Sequence, residues 1–467
     1  MQKSKLLAVF KVLDSGQLRA LSDFVKSPFF NKKKEVLLLF EYLKKQSKLK
    51  FPAKNLSREV IFFEIFPKGP YNEKRMKYAM SDLLHLLHRY ISITHFEADG
   101  IMPYYYRLDF FVENNLENDY RKDLRAARLS VEELPVSAER YQQIYLLEKI
   151  EEKHSHYELK RNDSSCLQKA MDSFDTFSFL KKLQYLCEIL DREKVLPNIF
   201  NKFMIDEMEA LILKNKHPEN PLISIYRALF LLLRTDDEKY FKILNSQLNA
   251  LLDSLLDSEA KALFYFAINY CIRQLRKGKK QFAEDLMDLY VAGVEGKYLL
   301  TKGEISPWTY KNMVQLGIGL KRYDWIELFI KDYSTLLPAA DVEGAFYYNM
   351  AQLQYAKGHF EAAYKNLNLS EFRNVHYNVG AKILLLRMFY EEGEEDALFS
   401  LLSSFEIYLK RSKLLTGEFK NQYLHFVKTL YQIAKYGKNK REEIQKKLEK
   451  LKVVAERRWL QKMIDQL

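Results

Sequence analysis

Apolar residues recur three and four positions apart along almost the whole chain. Leu167, Met171, Phe174, Leu180, Leu183, Leu186 and Leu190 are one instance, and that spacing lines up one side of a helix. The same period elsewhere predicts an all-α protein. Helix starts are marked at Asn220-Pro221 and Ser306-Pro307, where a side-chain acceptor precedes a proline whose missing N–H costs nothing in the first turn. Thr235 and Glu238 have the spacing of a capping box, and Asn31 and Asn72 read as further N-caps. Helix ends are expected where glycine follows basic or polar residues, at Gly278, Gly358 and Gly393.

One phrase is written twice. "TYKNMVQLGIGLKRYDWIELF" from Thr309 is answered by "FYYNMAQLQYAKGHFEAAYKNL" from Phe346, with Tyr310, Asn312 and Met313 matching Tyr347, Asn349 and Met350. The turns inside these units fall near Lys321 and at Gly358, and the next at Gly393, steps of 37 and 35 residues. A period in the mid-thirties with a turn halfway predicts stacked helix pairs, each needing its neighbours to bury an apolar face. Met313 and Met350 are expected to point inward.

The second copy resembles a tetratricopeptide repeat. Tyr347 stands at its first aromatic position, Ala351 and Ala363 at its two small positions, and Gly358 and Phe360 in its turn. The preceding copy carries Tyr310, Val314, Tyr323, Ile326 and a terminal Pro338, while the following one keeps little beyond Gly393. "EAKALFYFAINYCIRQLRKGKKQFAEDLMDLY" reads as another pair with a lengthened turn, so the resemblance spans about residues 259–410. The phrases "SPFFN", "FAINYCIR" and "SPWTYKNMV" are also similar to those of an uncharacterised family of bacterial helical-repeat proteins, which implies no known activity. The tetratricopeptide resemblance implies a groove lined by Trp308, Lys311 and Gln315, then Tyr348, Gln352 and Tyr355, then Ile383, Arg387 and Tyr390. Aromatic platforms beside hydrogen-bonding heads suit an extended peptide or a helix. It also implies that Lys311 and Tyr348 occupy equivalent outward positions.

Residues 1–96 read as a basic helical module ahead of a helical solenoid over 97–436, with a basic helical segment over 437–467. A short helix from Ser57, a Pro/Gly turn and a longer helix from Glu73 to about Tyr90 outline a helix-turn-helix, similar to that of a winged-helix domain. On the longer helix Met76, Ala79, Met80, Leu83, Leu87, Tyr90 and Ile91 form the buried face, leaving Lys74, Lys77, Ser81, His85 and His88 outward. The stretch around Ala98-Asp99-Gly100 is expected to supply either a two-stranded wing or an interhelical loop.

Charge supports this division. The net charge of +12 is concentrated in residues 1–90, with 19 Lys/Arg against 8 Asp/Glu, and in residues 437–467, with 10 against 5; the middle is slightly acidic. Such ends suit nucleic acid or an acidic partner as well as a plain solvated surface. The apolar share of 48% with only 15 Gly and 11 Pro marks a folded chain with short joints. No signal-peptide core or membrane span is read, and Cys166, Cys187 and Cys271 are too few and too scattered for a disulfide framework, so a cytoplasmic protein is expected. His85 and His88 lack a third firm metal ligand, and the acid run from Glu391 to Asp396 straddles a turn. No phosphate loop, nucleophile motif or paired catalytic acids are found, so neither an enzyme nor a cofactor is expected. The reading is a non-catalytic adaptor or scaffold binding a peptide or protein. The alternative is a nucleic-acid-binding regulator using the basic N-terminal module.

Overall fold

The computed structural model describes residues 1–157, 165–194, 196, 200–216, 218–369, 374–412, 414–415, 417–451 and 453–467. They divide into two compact units, one formed by residues 1–185 with 203–223 and the other by 186–202 with 224–467. Both are helical. Among the described residues the strands are two-residue pieces, β1 (Leu300–Thr301) and β2 (Glu304–Ile305), paired antiparallel. No helix of the described residues is long and apolar enough to cross a membrane.

The first unit opens with α1 (Lys5–Phe10), α2 (Ser15–Lys26), α3 (Lys34–Lys48), α4 (Arg58–Ile65) and α5 (Glu73–Ala98). Their apolar stripes converge on one core that includes Phe10, Leu21, Phe40, Phe62, Met76, Leu83 and Leu87. Each fully buried side chain of this size contributes about 1.5–3 kcal/mol of transfer free energy. Asn72 caps α5 by accepting the Arg75 N–H at 3.0 Å. Asn31 is not a cap: α3 starts after Lys33, and the Asn31 amide instead braces the loop, donating to the Val25 and Lys33 carbonyls.

Of the two alternatives around Ala98-Asp99-Gly100 the interhelical loop is the one found, and no wing strands form there. Residues 91–98 continue α5, whose apolar period runs past Tyr90, and after a short turn α6 (Met102–Glu113) begins, with Pro103 in its first turn. Residue 96, the end of the expected module, therefore lies inside α5. With α7 (Glu117–Glu132) and α8 (Ala138–Tyr157), α6 encloses a second core around Leu108, Val112, Tyr120, Val131, Leu147 and Ile150. Next come α9 (Ser165–Glu193), which runs on into the second unit, and α10 (Ile205–Leu213).

The second unit continues with α11 (Pro221–Thr235), α12 (Glu238–Leu251), α13 (Asp257–Arg276) and α14 (Phe282–Glu295). Asn220 accepts from the Leu222 and Ile223 N–H groups at the head of α11. The cap of α12 is Asp237, not Thr235, whose hydroxyl is spent on the Leu231 carbonyl at the end of α11. Three hairpins follow: α15 (Pro307–Gly319) with α16 (Tyr323–Tyr333), α17 (Val342–Ala356) with α18 (Phe360–Asn368), and α19 (Val375–Glu392) with α20 (Glu395–Arg411). In each the two helices pack together, while α15 lies on α17 and α17 on α19. The hairpin turns sit at Lys321, Gly358 and Gly393, with φ of 58°, 81° and 78°. This left-handed conformation closes a helix by turning the next N–H groups back to its last carbonyls. Met313 and Met350 are buried, as are Ala351 and Ala363.

The chain ends in α21 (Gly417–Tyr436), α22 (Arg441–Lys450) and α23 (Arg457–Asp465). These are not a detached basic tail. Trp459, Leu460, Met463 and Ile464 on one side of α23 join Phe426 and Leu430 of α21 and Val379, Ile383 and Leu386 of α19 in a common core.

Candidate functional site

The three first helices α15, α17 and α19 bring the residues of the expected groove into one row. Ser306 and Pro307 set the start of α15, the Ser306 hydroxyl accepting the Trp308 N–H at 3.3 Å. Helical spacing then puts Trp308, Lys311 and Gln315 on one side. Trp308 is 48% exposed and Gln315 is exposed, while Lys311 is half-buried. The Lys311 ammonium stands 5.8 Å from the Trp308 ring centroid and 5.4 Å from that of Tyr348, cation–π distances. Burial pushes its pKa below the usual lysine value, and the nearby Glu456 carboxylate offsets part of that.

Tyr348 does not present an open surface. It is 2% exposed, its ring lies 5.3 Å from Tyr377, and its hydroxyl accepts from Gln352 at 2.9 Å. Gly380 of α19 makes room for it: a Cβ there would lie 2.6 Å from the Tyr348 hydroxyl oxygen. Ile383 is likewise buried in the core, so of these two positions neither faces outward.

At the α19 end the row is occupied by the chain's own last helix. Arg387 donates from Nη1 to Glu456 at 2.9 Å and from Nη2 to the Tyr355 hydroxyl at 3.1 Å. The Tyr355 hydroxyl in turn donates to Glu391 at 2.6 Å. The same Glu391 oxygen accepts the indole N–H of Trp459 at 2.6 Å, and Tyr390 meets the Trp459 ring edge-on at 5.7 Å. Desolvation drives the Tyr355 and Tyr423 hydroxyls up to about 12, with the Glu456 charge adding to the effect at Tyr423. At the α15 end, His376 meets Trp308 at 4.8 Å and Phe419 at 5.0 Å; burial, then the Lys311 charge, lowers its pKa.

Glu391, Glu456, Trp459, His376 and Phe419 thus belong to the site beside the residues expected from sequence. Glu391 falls in the acid run that straddles the turn at Gly393, and although exposed it accepts two hydrogen bonds. The signal for Glu456 and Trp459 was α23 itself, whose Trp459, Leu460, Met463 and Ile464 mark a helix with one strongly apolar side and so a docking partner within the chain; His376 on α19 and Phe419 on α21 carried no such signal.

In the first unit, Lys74, Lys77, Ser81 and His85 are exposed on one side of α5. Acidic residues share that strip: Glu73 pairs with Lys77 at 3.0 Å and with Arg58 at 3.2 Å, and Asp82 with Lys33 at 2.7 Å. His154 stacks on Tyr120 and pairs with Glu117, and His156 pairs with Glu152. Among the described residues no group of three or more His, Cys, Asp or Glu is placed to hold a metal ion. Cys187 and Cys271 are buried free thiols whose pKa burial raises, the reverse of what an activated nucleophile needs. Comparison with family models, curated proteins and solved structures found no match to this chain.

Proposed function

We propose that the protein is a non-catalytic adaptor or scaffold that holds a peptide or protein segment along the row of α15, α17 and α19. The observation that carries this reading is the grip the row already exerts on α23. Arg387 takes a carboxylate and Glu391 an indole N–H from a helix, while Trp308, Lys311 and Gln315 continue the row beyond that contact. A charged anchor and an aromatic anchor on one helical segment are the elements of helix-in-groove recognition. On this reading the hairpins from Pro307 to Arg411 are tetratricopeptide-like units of a solenoid; the shared left-handed turns at Lys321, Gly358 and Gly393 and the side-by-side first helices support it. On α5 the acidic neighbours of Lys77 and Lys33 partly neutralise the basic strip, which is why protein binding is preferred to nucleic-acid binding.

The test places a photocrosslinking side chain at Trp308, at Gln315 or at Leu328, which is exposed on α16 outside the row. The expected result is a shared protein product from positions 308 and 315 in the native cell that position 328 does not give, lost when Lys311 is replaced by Ala. The same products from all three positions would overturn the reading.

A further inference from the structure

The α13 helix carries a polar cluster that the partner-binding reading leaves unused. Tyr270, Arg273, Gln274 and, just past the helix end, Lys277 follow one another at three- and four-residue spacing, hence on one side. The Arg273 side chain is 15% exposed, and its Nη1 donates to Asp191 Oδ1 at 2.6 Å. The other Asp191 oxygen accepts from Asn269 at 3.0 Å. Asp236 accepts from Gln274 at 2.9 Å and from Lys277 through its second oxygen. Both carboxylates therefore have both oxygens engaged, yet Arg273 Nε and Nη2 are buried and, among the described residues, meet no acceptor.

Those two nitrogens form one edge of the guanidinium. Their N–H bonds point the same way, at the separation of two oxygens on one carboxylate or phosphate. A buried charged donor pair left without an acceptor forfeits its hydration with nothing in return. Among the described residues, the charges that act on Lys194 are Arg273 and Lys277 on one side and Asp236 and Asp191 on the other, three cations with two carboxylates. Burial, then Arg273 and Lys277, press the Lys194 amine toward its neutral form, the direction expected beside a surplus of cations.

We propose that Arg273, with Lys194 beside it, is an oxyanion site that takes the two-oxygen edge of a phosphate group or a carboxylate. Asp191 and Asn269 fix the guanidinium plane, so the ligand meets an edge already oriented for bidentate contact. Because Nε and Nη2 are closed from solvent, the ligand enters as a neighbouring side chain gives way. Lys194, exposed on the surface and close enough to feel the Arg273 charge, moves aside and then closes over the bound anion.

The test follows the arginine Nε–H NMR signals of the full chain as inorganic phosphate or acetate is added at constant ionic strength. The Arg273 signal, identified by its absence in R273K, is expected to move saturably, and K194M to weaken the titration severalfold. Saturation with phosphate alone identifies a phosphoryl ligand, and saturation with both a two-oxygen edge in general. No saturable shift with either anion would overturn the site and leave a buried water as the partner of that edge. A shift that K194M leaves unchanged would mark an adventitious ion only and overturn it equally.

Discussion

Glu456, the residue that heads the last helix, lies 2.9 Å from Arg387 on α19, although 69 positions separate them in the chain. Glu456 holds a left-handed backbone, φ 52°, to deliver its carboxylate there. Removing one partner of a fully buried ion pair costs ~3–5 kcal/mol. Arg387 is 16% exposed but Glu456 is 37% exposed, so screening brings the expected loss for E456Q to about 1–2 kcal/mol. E456G is expected to lose about 1 kcal/mol less than E456A, because glycine relieves the backbone strain that alanine keeps. Urea unfolding followed by tryptophan fluorescence measures all three.

Tyr348 and Gly380 are a second matched pair. In G380A the new methyl would press on the Tyr348 hydroxyl and ring edge, all within 2.8 Å, and overpacking of this kind costs about 1–3 kcal/mol. Gly319, at the end of α15, has nothing within 4 Å of its absent Cβ. G319A is therefore expected to be neutral or stabilising, by up to about 1 kcal/mol. Thermal unfolding of the two variants side by side tests the contrast.

Acid stability has a specific source in Glu327. Hydrogen bonds from Lys357 and Lys331 hold its carboxyl down at about 2, against 4.5 unperturbed. A folded-state pKa below the unfolded one gives stability that is fully present above pH 4.5 and lost as pH falls toward 2. With Glu327 at 31% side-chain exposure, the contribution is of the order of 1 kcal/mol after screening. E327Q is expected to be less stable than the parent at neutral pH, and the gap to close across that acid window in denaturant titrations.

Much of this was legible in the chain, and the misses have physical causes. The helical class followed from the three-and-four spacing, Gly358 and Gly393 could be placed as turns because glycine readily takes the left-handed conformation that ends a helix, and the turn near Lys321 followed from stepping the repeat back from Gly358. Between wing and interhelical loop the residues around Ala98 could not decide, because a segment this short carries too little side-chain alternation; α5 runs about seven turns past the Pro/Gly turn and the loop follows it. The doubled phrase, by contrast, misled. Tyr310 is fully buried where its counterpart Tyr347 is half-buried, and Tyr348 is buried where its counterpart Lys311 is not. Periodicity assigns a side chain to a face of its helix, but what covers that face is set by long-range packing, here Gly380 for Tyr348 and α23 for Arg387.

Lys311 provides the sharpest check on whether the row is kept for binding. Its ammonium is partly stripped of water and rests against the Trp308 and Tyr348 rings, with Glu456 the nearby carboxylate that offsets part of the loss. A folded-state pKa below the unfolded value means the charged form is disfavoured in the fold. The penalty is complete below the folded pKa and disappears as pH rises to 10.5. Replacing the amine with a methionine of similar length removes that penalty and keeps contact with both rings. K311M is therefore expected to be more stable than the parent by about 1 kcal/mol at neutral pH, less whatever the cation–π contacts return. The advantage should shrink as pH approaches 10.5, a trend read from the difference between the two proteins, so that tyrosine ionisation common to both cancels. Gained stability together with lost crosslinking at Trp308 and Gln315 would identify Lys311 as a residue retained for its partner at the expense of the fold. Gained stability with crosslinking intact would confine its role to packing.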